Sequence, residues 1–395
     1  MKAPFPLTLT LPMNRLRFSL SHRMGEGWGE GALRFMVPML CACFVAALRP
    51  CQGGEAPGAT SAHFIGLDRF SDFEKAERPG VVVMTSPWLR PPRPWNELVV
   101  SWNALCPAGG HLTIEARAGR GDTTTPFYNL GRWATNSDQP SRGSVRGQKD
   151  AMAAVKTDTL VCRDCMERVQ IRLALEGDTE AGRLKFLGLC TLDTTTAPAA
   201  LAPNPAAWGK VIDVPRRSQL GHPGAAGWCS PTSLSMVLAY WAKAMGRTEL
   251  DLPVPTVARN VFDPGWEGTG NWVFNTAFAG QFEGMRAYVA RLDDLREIED
   301  WVAAGIPVIA SVSCDLLNGS PTDQGNGHLI VVVGFTKTGE VVVNDPWPNA
   351  KKENSIRKTF SRENFTRAWA SSHRTVYLVH PLSVKPPANS FGHWE

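Results

Sequence analysis

The chain has no run of lysine or arginine interleaved with aromatic residues. That absence removes the usual electrostatic footprint of a nucleic-acid-binding protein, so no nucleic-acid partner is expected. Its 41 basic and 37 acidic residues leave a formal charge of +4 over 395 residues, small for this length. No apolar stretch approaches the roughly 20 residues that a membrane-spanning helix needs, so no stable span is expected. Nine cysteines are too few for a disulfide scaffold and too many to pass over. Cys162 and Cys165 have zinc-ligand spacing, but no second such pair accompanies them, so neither a metal nor a cofactor is expected. Tyrosine is scarce, with 4 against 14 tryptophans. What remains is an ordinary globular composition, 43% apolar and 20% charged, with room for two domains.

Residues 1–60 read as an export segment on a disordered start. An apolar run, Met36–Leu48, follows Arg34 and has the length of a secretory signal core, with translation starting at Met24 or Met36. Arg49 and Pro50 before Cys51 argue against lipid attachment. The expected location is therefore outside the cytoplasm: periplasm, cell envelope or medium.

Residues 61–195 carry short β-rich runs at 81–84, 97–102, 111–116, 169–175 and 184–189, several alternating apolar with polar, between Pro and Gly punctuation. This pattern predicts an antiparallel sandwich or jelly roll. Cys106, Cys162, Cys165 and Cys190 form an even set; on export they predict one or two disulfides, with three connectivities open. Trp88, Trp95, Trp102 and Trp133 are either sandwich core or a sugar-binding platform, so a glycan or protein ligand is a possible partner of this domain. Residues 196–210, rich in Ala and Pro and uncharged before Lys210, predict a linker.

The chemistry lies in residues 211–385. Gly227-Trp-Cys-Ser-Pro-Thr-Ser233 sets Cys229 immediately before a helix start. Ser230 suits the N-cap and Pro231 the first helical position. Leu234, Val237, Leu238, Trp241 and Met245 recur at helical spacing until Gly246. A helix N-terminus lowers a thiol pKa through its dipole and free N–H groups. Of 8 histidines, His328 stands apart at the head of Gly327-His-Leu-Ile-Val-Val-Val-Gly-Phe335, a buried-strand pattern. Lys337-Thr-Gly339 then turns the chain into Glu340–Asp345, and the hairpin brings Asp345 near His328. Asp345 can there hold the imidazole's ring and tautomer; Asn344 should face away. Gln219, across a glycine-rich loop from Cys229, can offer its amide to a developing oxyanion beside the Cys229 backbone N–H.

A second helix is predicted from Asp293/Asp294 to Gly305, then a strand at 308–313. A polar loop, 315–326, should overhang the cleft. Cys314 reads as core, with no helix start behind it. Helix first, then strands, is an α+β order in which a helix packs on an antiparallel sheet.

Val214-Pro215 with Gln219, the Cys229 helix start, Gly327-His328 and Asn344-Asp345-Pro346, in this order, resemble the C39-like cysteine peptidases, a papain-like family. The resemblance covers roughly residues 211–381. It implies Cys229 as nucleophile, His328 as general base, Asp345 as orienter, Gln219 as oxyanion donor, and a peptide or protein as substrate. The family's helix usually reads Cys-Gly-Pro-Ala; here Ser230 and Thr232 replace the small residues. Peptide exporters of this family also carry a P-loop and membrane spans, and no G-x-x-x-x-G-K-[ST] stretch is present. Two other functions fit the same sequence. One is acyl transfer or amide hydrolysis by the same thiol; the other is a non-catalytic glycan- or protein-binding surface protein.

Overall fold

The computed structural model describes residues 60–178, 182–348 and 355–394. The expected export segment lies outside the described residues, apart from Thr60. Among the described residues no helix is long and apolar enough to cross a membrane.

The first half is all β. Its strands are β1 (Ala62–Leu67), β2 (Glu74–Arg78), β3 (Val81–Thr85), β4 (Trp95–Leu105), β5 (His111–Arg120) and β6 (Thr123–Thr124), followed by β7 (Tyr128–Trp133), β8 (Ala153–Lys156), β9 (Thr159–Met166), β10 (Arg168–Glu176) and β11 (Arg183–Leu192). They form two antiparallel sheets, β1-β11-β4-β9-β8 and β2-β3-β10-β5-β6, with β7 also on β5. Alternation decides the inner faces: Leu112, Ile114, Ala116 and Ala118 of β5 and Val169, Ile171 and Leu173 of β10 are buried, while Thr113, Glu115, Arg117 and Arg172 between them are partly exposed. Each of the five expected runs is a strand. Trp95, Trp102 and Trp133 are core residues at 1% exposure or less and offer no face to a sugar. Trp88 is half-buried, with Arg117 and Arg168 stacked on its ring. The expected disulfides within the cysteine set are not formed. Cys106, Cys162 and Cys190 are free thiols, and Cys165 is disulfide-bonded.

The second half is α+β. Six antiparallel strands are β12 (Met285–Arg291), β13 (Val308–Ser313), β14 (Gly327–Phe335), β15 (Val341–Asn344), β16 (Arg357–Phe360) and β17 (Thr375–Pro381), ordered β12-β17-β13-β14-β15-β16. The helices are α1 (Cys229–Met245), α2 (Val254–Val261), α3 (Trp272–Gln281), α4 (Leu295–Ala303), α5 (Cys314–Leu317) and α6 (Arg362–Ala370). Helix α1 is tied to the sheet by polar groups as well as apolar ones: Ser233 Oγ donates to the Leu329 carbonyl (3.0 Å) and Trp241 Nε1 to that of Val379 (2.9 Å). It ends at Gly246, whose φ of 67° is the left-handed cap expected there. Its start differs from expectation. Trp228 is the N-cap and Cys229 the first helical residue, while the Ser230 hydroxyl meets the Tyr377 hydroxyl in the core (2.9 Å) instead of capping. Helix α4 begins as the sequence predicts, with a capping box between Asp294 and Glu297. Cys314, expected in the core, is half-exposed and opens α5, which Ser313 caps.

The halves share one core. Asn103 of β4 exchanges hydrogen bonds with the Ala287 backbone (2.6 and 3.1 Å), and Trp102 and Trp133 meet Phe274 of α3 edge-on. The proline-rich segment 196–210, expected not to pack, lies pinned along α4. Asn204 bonds to Glu299 and Asp300 (2.6 Å each), and Trp208 Nε1 bonds to Glu299 (2.9 Å). The chain end also folds back: the Gly392 carbonyl accepts from Phe64 N–H (2.7 Å), and His393 and Trp394 are buried.

Candidate active site

Cys229, His328 and Asp345 converge where α1 meets β14. The Cys229 thiol is hydrogen-bonded to the His328 side chain and receives the backbone N–H groups of Ser230 and Leu329. Burial pushes its pKa up. The imidazole and the two N–H groups outweigh burial and bring it below the ordinary thiol value. The remaining ring nitrogen of His328, Nε2, meets Asp345 Oδ1 at 2.8 Å. Burial alone would strip the imidazole of its proton, yet its two anionic neighbours raise its pKa to about 10. Asp345, 5% exposed, is desolvated too. His328, Lys358 and the Trp347 N–H nevertheless hold it well below the usual carboxylate range. Both shifts run in the direction of a thiolate–imidazolium pair, with a carboxylate on the far side of the ring.

A register detail puts Asp345 on this face. Phe335 pairs with Val341, but a bulge between Val332 and Gly334 makes Val331, not Val332, face Asn344. Extended by one residue, Asp345 lies across from Ile330, on the same face as His328. Without the bulge it would lie across from Val331 and face away. The hairpin was legible in the sequence; the bulge was not. Asn344 points elsewhere, as expected, donating to the Val214 carbonyl (3.2 Å) and accepting from Arg357 (2.6 Å).

Gln219 is fully buried at the same place. Its backbone N–H donates to the Pro346 carbonyl (2.8 Å), next to Asp345. Its Nε2 donates to the carbonyls of Ala225 (3.1 Å) and Ala226 (2.8 Å), in the 3-10 turn that leads into Cys229. The amide therefore braces the nucleophile's turn, and a substrate oxygen would have to compete with those carbonyls for it. The Cys229 N–H, at the first helical position, has no intrahelical acceptor.

Lys358 was missed from sequence. Its Nζ lies 2.7 Å from Asp345 Oδ2, so both carboxylate oxygens are engaged. Strand β16 delivers it, in register with β15 (Lys358 opposite Val343), and the only signal available was its place in a strand downstream of Asp345. Of the expected loop 315–326, residues 315–317 belong to α5, and the remainder closes back on it, with Asp315 accepting from Asn326 Nδ2 and the Gln324 N–H before the chain reaches Gly327.

Residues 62–191 match the family model described as Peptidase C39 N-terminal domain, and residues 211–377 that of the Peptidase_C39 like family. No curated protein matches the chain. Among solved structures, a protein described as a C39-like peptidase from Bacillus anthracis is similar at 21% identity and a TM-score of 0.34, over 45% of this chain and 99% of its own.

Proposed function

We propose that residues 211–377, a domain of the Peptidase_C39 like family, hydrolyse peptide bonds through a Cys229 thiolate, in a chain organised as sandwich (61–195), connector (196–210) and peptidase domain (211–385). The observation that carries this reading is the line of contacts Cys229–His328–Asp345, the imidazole bonded to the thiol on one side and 2.8 Å from Asp345 Oδ1 on the other. Cys229 attacks the peptide carbonyl. The oxyanion is met by the Cys229 N–H, with Gln219 Nε2 as second donor when a turn carbonyl gives way. His328, protonated in the resting pair, gives its proton to the leaving amine and then takes one from water as the acyl-enzyme is released. Asp345 keeps the ring in register throughout. Secretion, read from residues 1–60, remains part of this proposal, and N-terminal sequencing of the mature protein tests it.

The test is casein hydrolysis by the full chain together with iodoacetamide alkylation of Cys229 across pH. Casein cleavage that disappears in Cys229→Ala, with alkylation setting in below the ordinary cysteine pKa of about 8.5, is the expected result. A reactive Cys229 with no hydrolysis, but amide formation with an added amine, would replace peptidase by acyltransferase. An unreactive Cys229 would leave a binding protein.

A further inference from the structure

The sandwich reaches the thiol site through one loop. Asp263, fully buried, organises residues 262–271. Its Oδ1 accepts the N–H groups of Gly265 (2.9 Å) and Trp266 (3.3 Å), and its Oδ2 accepts Asn271 Nδ2 (2.7 Å). The same carboxylate accepts from the other half of the chain, the Ser144 N–H (2.9 Å) and Ser144 Oγ (2.7 Å), which follow β7. Backbones interlock here: a Cβ on Gly265 would stand 1.9 Å from the Ser144 carbonyl. Nearby, Arg142 is 2% exposed, stacks on Trp133 (4.3 Å) and Phe274 (5.4 Å), and donates to the Asn260 carbonyl. At the far end of the loop, Thr269 Oγ1 donates to the Gly227 carbonyl at 2.8 Å.

That last contact completes a clamp. The carbonyls of Ala225 and Ala226 are held by Gln219 and that of Gly227 by Thr269. Only Trp228 separates this turn from Cys229. Gly227 has open space around it and no side chain of its own to fix its peptide plane. That plane is held at its N–H end by the Ala225 carbonyl, which accepts from Trp228 (3.0 Å), and Thr269 supplies the restraint on its carbonyl end from outside the turn.

We propose that the sandwich is a working part of the thiol site. Through Ser144 and Asp263 it sets loop 262–271, whose Thr269 is a positioning residue that fixes the turn presenting the Cys229 thiol and N–H. The proposal rests on Cys229 being the reactive thiol. A nucleophile held slightly off its mark loses rate steeply, so a remote brace has catalytic weight.

The experiment uses the full chain and two readouts, the pH dependence of iodoacetamide alkylation at Cys229 and hydrolysis of fluorescent casein. Thr269→Val should raise the apparent thiol pKa by about one and slow alkylation at neutral pH roughly tenfold, with Thr269→Ser restoring both. Ser144→Ala, in the other half of the chain, should move the same readouts in the same direction by about two- to threefold. Ser144→Ala should add nothing in a Thr269→Val background, because both act through one path. A wild-type thiol pKa in Thr269→Val, or effects of Ser144→Ala and Thr269→Val that multiply, would overturn the proposal while the thermal melt shows the variants folded. If wild-type Cys229 alkylates at low pH but casein is untouched, the peptidase reading fails and the brace is still decided by the alkylation arm.

Discussion

Cys190 and Cys229 are two thiols of one chain, and burial is the largest influence on each. Cys190 lies on β11 in the sandwich core, and its pKa is pushed up to about 11. Cys162 and Cys106, in the same half, are pushed up to about 12 and about 11. Cys229 goes the other way. Cys229 is the less enclosed of the two, yet burial still pushes its pKa up, and what reverses the direction is what surrounds the sulfur: a helix start with free N–H groups and an imidazole whose second nitrogen is held by a carboxylate. Burial alone makes a thiol inert, and burial with preorganised donors makes it a nucleophile. Charge near the sulfur is not enough either, since Arg291 acts on Cys190 without reversing the outcome.

The largest effect should come from making Cys229 resemble Cys190. His328→Ala removes the cation and should abolish casein hydrolysis, a loss of roughly 10⁴-fold or more for a base that works as a unit with its nucleophile. The Cys229 thiol should then titrate above a free cysteine's value, because only desolvation and two N–H groups remain. An alkylation profile unchanged from wild type would erase the distinction drawn between the two sulfurs. Asp345→Asn should come next, with the imidazole less basic and less well oriented. A fall in kcat of roughly 10²–10⁴-fold with little change in KM is expected, and the high-pH edge of activity should move down. Native labelling sharpens the comparison from the other side. At pH 8, where Cys229 reacts, Cys106, Cys162 and Cys190 should stay unlabelled until denaturant opens the sandwich, as peptide mapping would show.

Asp158 shows the same physics on a carboxyl. It is fully desolvated and caps the start of α3 from the sandwich side, accepting the Trp272 N–H at 2.9 Å. Burial raises its pKa to about 6 from 3.8. A raised acid is a liability when ionised, so stability should increase as pH falls through about 6 and level off below the unfolded value. Asp158→Asn keeps an acceptor and removes the charge. It should stabilise the protein at pH 7 by about 1–3 kcal/mol, measured by urea denaturation, and the gain should vanish near pH 4. A loss of stability at pH 7 would mean that the ionised cap is the stabilising form.

How far the sequence carried this picture depended on range. Helix α4 was legible because Asp294, Glu297 and Gly305 encode its ends locally, and β14 because an apolar run between glycines has few other homes. The nucleophile, base and acid were legible as separate local patterns, and the hairpin brought two of them together. Helices α2 and α3 were missed. The hydrophobic face of α3 is used twice, against β4 and within its own half, so it shows no one-sided period. The bulge at Val332–Gly334, the Thr269 contact and the Lys358 contact were not legible either. The two contacts join residues apart in sequence through common surface side chains, and the bulge sits inside a uniformly apolar run that carries no mark of register. Ser230 misled in a related way, because a good capping residue was claimed by Tyr377 in the core.

Lys358 offers the finest adjustment. Its ammonium, a third exposed, partly neutralises the carboxylate that holds His328. Replacing it with methionine leaves Asp345 with its full charge acting on the imidazole, so His328 should keep its proton to higher pH. The upper edge of the thiolate–imidazolium window, set by an imidazole raised to about 10, should move up. The shift should be at most about half a pH unit, because a partly exposed ion pair is worth under about 1 kcal/mol. Iodoacetate is the suitable probe, since its negative charge makes its reaction depend on the imidazolium. Lys358→Arg should leave the profile where it is. A downward shift in Lys358→Met would give the residue a different role: it would then act by keeping Asp345 turned toward His328, and its charge would be incidental.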